Sequence, residues 1–180
     1  MIFTNSWEQR KVSEVATFSK GNGYSKADLV DDGTPIILYG RLYTKYEFSI
    51  DDVDTYARVK ENSVFSKGNE VIVPASGETA EDIARASAVE KSGILLGGDL
   101  NIVHPGKEII SQFLALVLSS GNTQKELASK AQGKSVVHIH NSDIEAVSIL
   151  FPQKAEQEKF ILIFSNLEHL TTLHQRKPNL

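Results

Sequence analysis

The sequence predicts a mixed α/β fold (α+β), with a compact domain of short strands and helices followed by one long C-terminal coiled-coil helix. Short apolar runs punctuated by glycine and proline are typical of short strands. The segment 108–122 carries apolar residues at helical spacing, and the segment 158–177 carries a narrower stripe of the same period. We therefore divide the chain into a compact domain, residues 1–152, and a helical arm, residues 153–180.

The composition is that of an ordinary globular protein. Of the 180 residues, 41% are hydrophobic, which is enough for one core. The absence of cysteine excludes disulfide frameworks and thiolate metal sites. No apolar run approaches the roughly 20 residues of a membrane span, and the N-terminus lacks the apolar region of a signal peptide. We expect a cytoplasmic protein that has no membrane contact.

The net charge of −4 argues mildly against a nucleic-acid binder. Charges of opposite sign are nevertheless separated along the chain. Acidic residues cluster in the segment 47–54, whereas lysines and an arginine occupy the segments before it. The sum can therefore hide a basic surface.

Seven apolar segments predict strands. Pro35 opens the first, and Pro74 and Pro152 close two others, because proline lacks the backbone donor that an interior strand needs. The predicted strand segments are 34–40, 69–75, 83–89, 93–98, 99–106, 134–140 and 147–152.

The best internal helix is predicted at 108–122. Its apolar residues recur at i, i+3, i+4, i+7 and i+8, which predicts a broad stripe that faces the core. Gly121 is placed to end it. Shorter helices or turns are predicted at 7–17, at 123–131 and at 141–146, the last two from Ser/Thr-x-x-Glu capping patterns.

The arm is predicted to be one helix of about 24 residues, or roughly 36 Å. Acidic residues in its first turns and basic residues in its last turn suit the helix dipole, and Pro178 ends it. A seam with alternating spacings of three and four residues is typical of a coiled coil. The seam residues, which we predict to contact a partner helix, are Phe160, Ile163, Leu167, Leu170 and His174.

Motifs for nucleotide binding fail at single positions. The run Gln132–Ser135 resembles the end of a phosphate-binding P-loop, but Ala128 stands where the loop needs glycine. A dinucleotide-binding pattern that starts at Gly21 fails because Lys26 occupies the third glycine position.

Catalytic and metal motifs are equally incomplete. The chain has no Asp-x-Lys or Glu-x-Lys for a Mg²⁺ nuclease, no Pro-Pro for an amino-methyltransferase and no Gly-x-Ser-x-Gly elbow. His138 and His140 lie on one face of a predicted strand, where they could hold zinc with a distant third ligand such as His104, face DNA phosphate or simply form hydrogen bonds at the surface. We predict no catalytic residues and no metal site.

Several polar loops suit DNA instead. Lysine and arginine bind phosphates, and arginine, asparagine and serine contact base edges. Taken singly, each of these loops is also compatible with ordinary solvated surface. The residues we predict to bind DNA are Lys20, Lys26, Arg41, Lys45, Tyr46, Ser76 and Lys134.

Three blocks of the sequence carry a resemblance to a known family. They are WEQRKVSEVATFSKGNGYS, then YGRLYTKYEF…VFSKGNEVIVPASGETAEDIARA, and finally GKSVVHIHNSDIEAVSILFPQKAEQEKFILIFSNLEHLTTLHQRK. The most specific part follows the pattern P-x-x-x-E-Q-x-x-I with LHQRK. Pro152, Glu156 and Gln157 match it, and Ile161 comes one residue late. Over nearly all its length the chain resembles the specificity (S) subunits of type I restriction-modification systems.

The resemblance implies a target recognition domain that reads one half-site of a bipartite sequence in double-stranded DNA, followed by a conserved helical spacer. It implies no catalysis in this subunit, which agrees with the incomplete motifs. Modification subunits held by S subunits bind S-adenosylmethionine and methylate adenine, and restriction subunits add ATP-driven translocation and cleavage. Those cofactors, with Mg²⁺, are therefore expected in partner subunits and none in this chain.

The length departs from the family, whose members carry two recognition domains and two arms on one chain. One of each is found here, so we expect a half-length subunit, whether natural or cut. We hypothesise that the seam pairs antiparallel with the arm of a second copy, which gives a homodimer that faces a symmetric, split DNA site. Two alternatives stay open: the arm folds back onto its own domain, or the chain is a protein-interaction adaptor that does not bind DNA.

Overall fold

The computed structural model describes residues 7–175, and side chains for residues 7–170. Its strands are β1 (Glu8–Lys11), β2 (Ala16–Lys20), β3 (Leu29–Val30), β4 (Thr34–Ile37), β5 (Ser49–Ile50), β6 (Tyr56–Ala57), β7 (Phe65–Lys67), β8 (Val71–Pro74), β9 (Ser76–Gly77), β10 (Ser87–Val89), β11 (Ser92–Leu96), β12 (Leu100–Pro105), β13 (Gln132–Gly133), β14 (Val137–His138) and β15 (Ser148–Phe151). Its helices are α1 (Val12–Val15), α2 (Arg41–Thr44), α3 (Ala80–Ile83), α4 (Ser111–Leu118), α5 (Gly121–Ser129), α6 (Asn141–Glu145) and α7 (Lys154–Gln175), with a 3₁₀ turn at Lys26–Asp28.

The central sheet has the order β2-β12-β8-β10-β5 and is antiparallel except for its β10–β5 pair. Its middle strand β8 is buried on both faces. Val71 and Val73 belong to the apolar cluster that includes the helices, whereas Ile72 between them belongs to a second cluster. Continuous rather than alternating hydrophobicity in this strand follows from that double burial.

A second sheet, β3-β6-β4-β11-β7, covers the other face of the central sheet. Ile37 of β4 and Leu96 of β11 share the second cluster with Ile72 and Ile102 of the central sheet. Two smaller sheets have the orders β1-β15 and β13-β14-β9, and the first pairs strands from the two ends of the compact domain's sequence. The fold is a mixed α/β domain with one long C-terminal helix, as predicted.

Of the fifteen strands described, seven overlap the predicted segments, and the other eight, β1, β2, β3, β5, β6, β7, β9 and β13, lie outside them. The segment 83–89 is strand only from Ser87, because Thr79 Oγ1 accepts a hydrogen bond from Asp82 N at 3.1 Å and starts helix α3. The segment 7–17, predicted as a helix or turn, instead forms β1 and only then α1, since β1 pairs with the distant β15. Gly121, which was predicted to end the helix 108–122, is instead the first residue of α5 and has a φ of +59°, because α4 already ends at Leu118.

Helix α7 has 22 residues, which corresponds to roughly 33 Å. No helix among the residues described here is both long and apolar enough to cross a bilayer.

Candidate nucleic-acid interface

A cleft of about 1390 Å³ opens beside the turn of β11 and β12. Five segments line it: the loop and 3₁₀ turn after β2, the segment from Leu38 to Lys45, the pair Asp54 and Thr55, the residues from Ser76 to Arg85 and the Gly98–Asp99 turn, with Val136 at one side. The strands that carry these segments belong to different sheets, so the cleft is formed only in the folded chain.

The cleft brings together four of the seven predicted DNA-binding residues. Lys26, Arg41, Lys45 and Ser76 all line it, although they come from three separate segments. The other three, Lys20, Tyr46 and Lys134, lie outside its lining.

Arg41 is held in place by acceptors of its own chain. Its guanidinium donates to Glu47 Oε2 at 2.8 Å, to Asp54 Oδ1 at 3.0 Å and to the carbonyl of Asp52 at 2.8 Å. Only 8% of the side chain is exposed. Lys45 adds an ion pair to Asp54 at 3.4 Å, and the pKa of Asp54 lies below its ordinary value because of a backbone hydrogen bond and then Lys45. These cations therefore stabilise the segment 41–54 that forms one wall of the cleft.

Ser76 is buried and links two other cleft residues. Its hydroxyl donates to Asp99 Oδ2 at 3.1 Å, and its carbonyl accepts from the Tyr43 hydroxyl at 2.6 Å. Burial raises the pKa of Tyr43, so this hydroxyl stays a donor at neutral pH. Asp99 itself has a φ of +57°, the left-handed conformation that a tight turn needs.

The remaining predicted lysines are exposed. Lys20 ends β2, Lys26 begins the 3₁₀ turn and Lys134 lies in the turn between β13 and β14. Within the described residues none of the three forms an ion pair. They are the cations of this region that remain available to phosphate.

Tyr46 packs away from the cleft. Its hydroxyl donates to the carbonyl of Ala86 at 3.2 Å, and the guanidinium of Arg85 lies 5.8 Å from its ring centroid. Burial raises the pKa of Tyr46. These contacts fix the end of the segment that carries Arg41.

The first turns of α7 pack along α4. Phe160 contacts Trp7 and Phe113, with ring centroids 5.7 and 6.0 Å apart. Gln157 is fully buried: its Oε1 accepts from Ile110 N at 2.9 Å, and its Nε2 donates to the carbonyls of Glu108 and Pro152 at 3.0 and 2.8 Å. This side chain therefore joins the start of the arm to the loop before α4.

The predicted seam divides between two faces of α7. Phe160 is partly buried against Trp7 and Phe113 on the face that packs on the domain, and its contact with a partner helix stays a prediction. Ile163, Leu167 and Leu170 are 54%, 53% and 60% exposed. His174 lies outside the residues whose side chains are described.

A second contact ties the arm to the cleft wall. The carboxylate of Glu168 accepts a hydrogen bond from the backbone N–H of Phe48. Burial raises the pKa of Glu168, and the nearby Glu47 adds to that shift. The arm thus lies against its own domain along one face, while its other face presents apolar side chains to solvent.

The two strand histidines do not form a recognisable metal site. The rings of His138 and His140 stack with centroids 6.4 Å apart and planes at 3°. His104, the proposed distant ligand, instead lies 2.7 Å from Ser19 Oγ through its Nε2. Among the described side chains no group of three or more histidines and carboxylates is placed to hold a metal.

Sequence reasoning missed several cleft residues. Tyr39 lines the cleft beside Arg41, and Arg85 and Asp99 line it from other segments. The position of Tyr39 two residues before Arg41 was the available signal. No local pattern marks Arg85 or Asp99, because only the tertiary fold brings them near.

Comparisons with known proteins agree with this architecture. The S subunit of a type I restriction-modification system from M. genitalium is 19% identical, with a TM-score of 0.65 over 96% of this chain and 43% of that chain. The HsdS subunit from Thermoanaerobacter tengcongensis is 14% identical, with a TM-score of 0.61 over 98% of this chain and 41% of that one.

A third similar chain comes from a structure that describes complex assembly and conformational transition of the type I R-M system. It is 13% identical, with a TM-score of 0.65 over 94% of this chain and 40% of that chain. This chain therefore spans less than half the length of each of these three solved chains. No curated protein matches the sequence.

The family model for the type I restriction modification DNA specificity domain matches residues 4–180. That match covers both the compact domain and the arm. The chain belongs to the family of type I restriction modification DNA specificity domains.

Proposed function

We propose that this chain is a DNA-binding specificity subunit of a type I restriction-modification complex, which reads one half-site of a bipartite target and docks the modification subunit. The family match over residues 4–180 is the observation that carries the proposal. The cleft and the exposed lysines around it supply a surface on which duplex DNA can be bound.

The DNA contacts divide by chemistry. Lys20, Lys26 and Lys134 bind phosphates, because they are exposed and form no ion pair among the described residues. Arg41 and Lys45, which are paired with Asp54, position the cleft wall on which DNA lies. Ser76 holds the opposite side through Asp99.

In this proposal the chemistry belongs to the partners. The modification subunit binds S-adenosylmethionine and methylates adenine, and the restriction subunit uses ATP and Mg²⁺. The present chain selects the DNA and orients the partners in the cytoplasm. The acidic net charge of −4 predicts weak DNA binding by the chain alone and stronger binding in the assembled complex.

The exposed face of the arm pairs with a second arm. Ile163 and Leu170 are more than half exposed and lie seven residues apart, which places them on one face of α7. An antiparallel homodimer through this face would bury them and hold two identical recognition domains toward a symmetric DNA site. The separation of the half-sites would then follow the length of the arm.

Mapping methylated adenines in a host that carries this chain and the modification subunit tests the proposal. We expect methylation within one bipartite sequence, and none when the chain is omitted. A labelled duplex should also shift with the complex in a salt-dependent manner. Partner binding without methylation, duplex shift or sequence preference would instead identify the protein-interaction adaptor.

Self-pairing is tested separately by mass measurement in solution. The double variant I163S/L170S should lower the association constant relative to the wild type. The matched control L150S removes an equally exposed leucine from β15 and should leave association unchanged. A wild-type chain that stays monomeric at high micromolar concentration would contradict the homodimer.

A further inference from the structure

The charges that line the cleft are largely neutralised by one another. Arg41 and Lys45 pair with Asp54, and Arg85 pairs with Asp82 at 2.9 Å. Four cations and five carboxylates contribute to the lining, so its formal charge does not favour phosphate. Base edges, which carry hydrogen-bond donors, acceptors and methyl groups without net charge, suit such a surface better.

Three tyrosines line the cleft, and their hydroxyl groups differ in availability. The hydroxyl of Tyr24 donates to the carbonyl of Arg58 at 3.1 Å, and that of Tyr43 donates to the carbonyl of Ser76 at 2.6 Å. Both of these hydroxyls are thus occupied within the domain. Tyr39 is 38% exposed, and its hydroxyl has no hydrogen-bond partner among the described residues.

The ring of Tyr39 is also held in position. It packs edge-on against Tyr43, with centroids 6.1 Å apart and planes at 80°. Tyr43 is held in place, since its hydroxyl is bound to Ser76 and the residue is partly buried. An exposed aromatic ring on such a support loses little conformational entropy when it meets a ligand.

We infer that Tyr39 is a specificity-determining residue that contacts a base of the DNA half-site, an inference that rests on the proposed function. Its ring supplies apolar contact to a base edge such as the thymine methyl group. Its free hydroxyl donates to a major-groove acceptor, the purine N7, guanine O6 or thymine O4. Lys26 in the lining and the two lysines outside it, Lys20 and Lys134, bind the flanking phosphates and set the register.

The test uses the complex of this chain with its modification subunit and a randomised DNA duplex library, from which bound sequences are selected and read. Y39A should reduce the preference for the correct base pair by about 5- to 150-fold at one position and leave the other positions unchanged. Y39F retains the ring and removes only the hydroxyl contribution. Both variants should unfold near the wild-type temperature, because the ring is partly exposed.

Phe65 provides the matched control for Y39A. It is 42% exposed, close to the 38% of Tyr39, but lies on β7 outside the cleft lining. F65A should therefore select the wild-type sequence.

Each outcome decides the inference. Loss of preference at one position in Y39A supports it, and retention of that preference in Y39F assigns the contact to the ring. If the wild-type complex selects a sequence and Y39A selects the same one equally well, the role of Tyr39 is refuted while the proposed function stands. Equal weakening for all sequences in Y39A also refutes it. If the wild-type complex selects no sequence, both the inference and the proposed function fail.

Discussion

The pentapeptide Phe-Ser-Lys-Gly-Asn occurs twice in this chain, at residues 18–22 and 65–69. Both copies end a strand at their lysine, β2 in the first and β7 in the second, and both continue into a turn. The same local sequence therefore gives the same local element. The contacts that the two copies make with the rest of the protein are entirely different.

The glycine of each copy is required for its own reason. A Cβ at Gly21 would lie 1.9 Å from the carbonyl oxygen of Gly97, so a neighbouring backbone excludes any side chain there. Gly68 has a φ of +91°, and a Cβ there would lie 2.8 Å from the carbonyl oxygen of Glu90. Gly21 is required because a neighbouring backbone lies too close for a side chain. Gly68 is required both for this reason and because its backbone is in the left-handed conformation.

The serines and phenylalanines differ in the same way. Ser66 is buried and bonds only to backbone atoms, donating to Lys91 O at 2.6 Å and accepting from Ile94 N at 3.0 Å. Ser19 bonds to the side chain of His104. Phe18 packs against the main core, whereas its counterpart Phe65 is 42% exposed. The repeated pentapeptide thus predicts the same secondary-structure element at both places. It does not predict the same tertiary contacts.

The largest loss of stability should come from substitution of the two glycines of the repeated pentapeptide. Gly21→Ala should lower the free energy of unfolding by about 3 kcal/mol or more, because two backbone segments must separate. Gly68→Ala should cost about 2–4 kcal/mol from strain and overlap together. Equilibrium urea unfolding measures both. Gly40→Ala is the control, since nothing lies within 4 Å of its Cβ position; a control loss as large as that of Gly21→Ala would contradict this steric explanation.

Substitution of the two serines of the repeated pentapeptide should cost less stability than substitution of the glycines. Ser66→Ala should cost about 1–3 kcal/mol, because it leaves a buried backbone donor and an acceptor unpaired. Ser19→Ala removes one partly buried hydrogen bond and should cost about 0.5–1.5 kcal/mol. The same unfolding measurement compares them. Equal losses would show that the two sites are equivalent despite their different partners.

His104, which bonds to Ser19 of the first copy, should make stability depend on pH near neutrality. Burial lowers the pKa of His104 below its ordinary value of 6.5; Lys67 lowers it further and Glu70 opposes the shift. The unfolded chain therefore takes up this proton first. The contribution of His104 is complete above pH 6.5 and is lost as pH falls toward the lower folded pKa. His104→Gln should reduce the dependence of the free energy of unfolding on pH, measured at pH 7.5, 6 and 5. The same pH dependence in the variant and the wild type would exclude the effect.

The smallest effect on stability, and the most informative for function, should come from the lysines. Lys20→Ala should weaken DNA binding by the complex for all sequences and reduce the salt slope by about one unit. Lys67→Ala is the matched control, because this exposed lysine occupies the same place in the second copy and is not proposed to bind phosphate. Fluorescence titration of a labelled duplex at several salt concentrations measures both slopes. Identical slopes for the two variants would remove Lys20 from the DNA contacts.

The helical arm shows what the spacing of apolar residues can and cannot predict. Spacings of three and four residues predicted a helix and an apolar face, and α7 confirms the helix. The sequence could not show that Phe160 would pack on α4 while Ile163 and Leu170 stayed exposed. The spacing of apolar residues shows which of them share a face, but not which element packs on that face. The coiled-coil pairing of that exposed face stays a prediction.

The cleft shows the same limit for charged residues. The sequence predicted Arg41, Lys45 and Ser76 as DNA-binding residues on separate loops, and the fold brings the three to one cleft. The acceptors that occupy its guanidinium, Glu47 and Asp54, lie 6 and 13 residues away. No local pattern reveals that such residues will meet a particular side chain, so the sequence could not distinguish a free cation from a paired one.

The sequence by itself determined the mixed α/β composition, seven of the fifteen described strands, the long arm and the family resemblance, because these depend on local propensity, on periodicity and on short motifs. The tertiary structure alone decided which cations are free, which face of the arm is covered and why each glycine is needed. Those properties depend on atoms that lie far apart in the chain and meet only when the sheets and helices pack together.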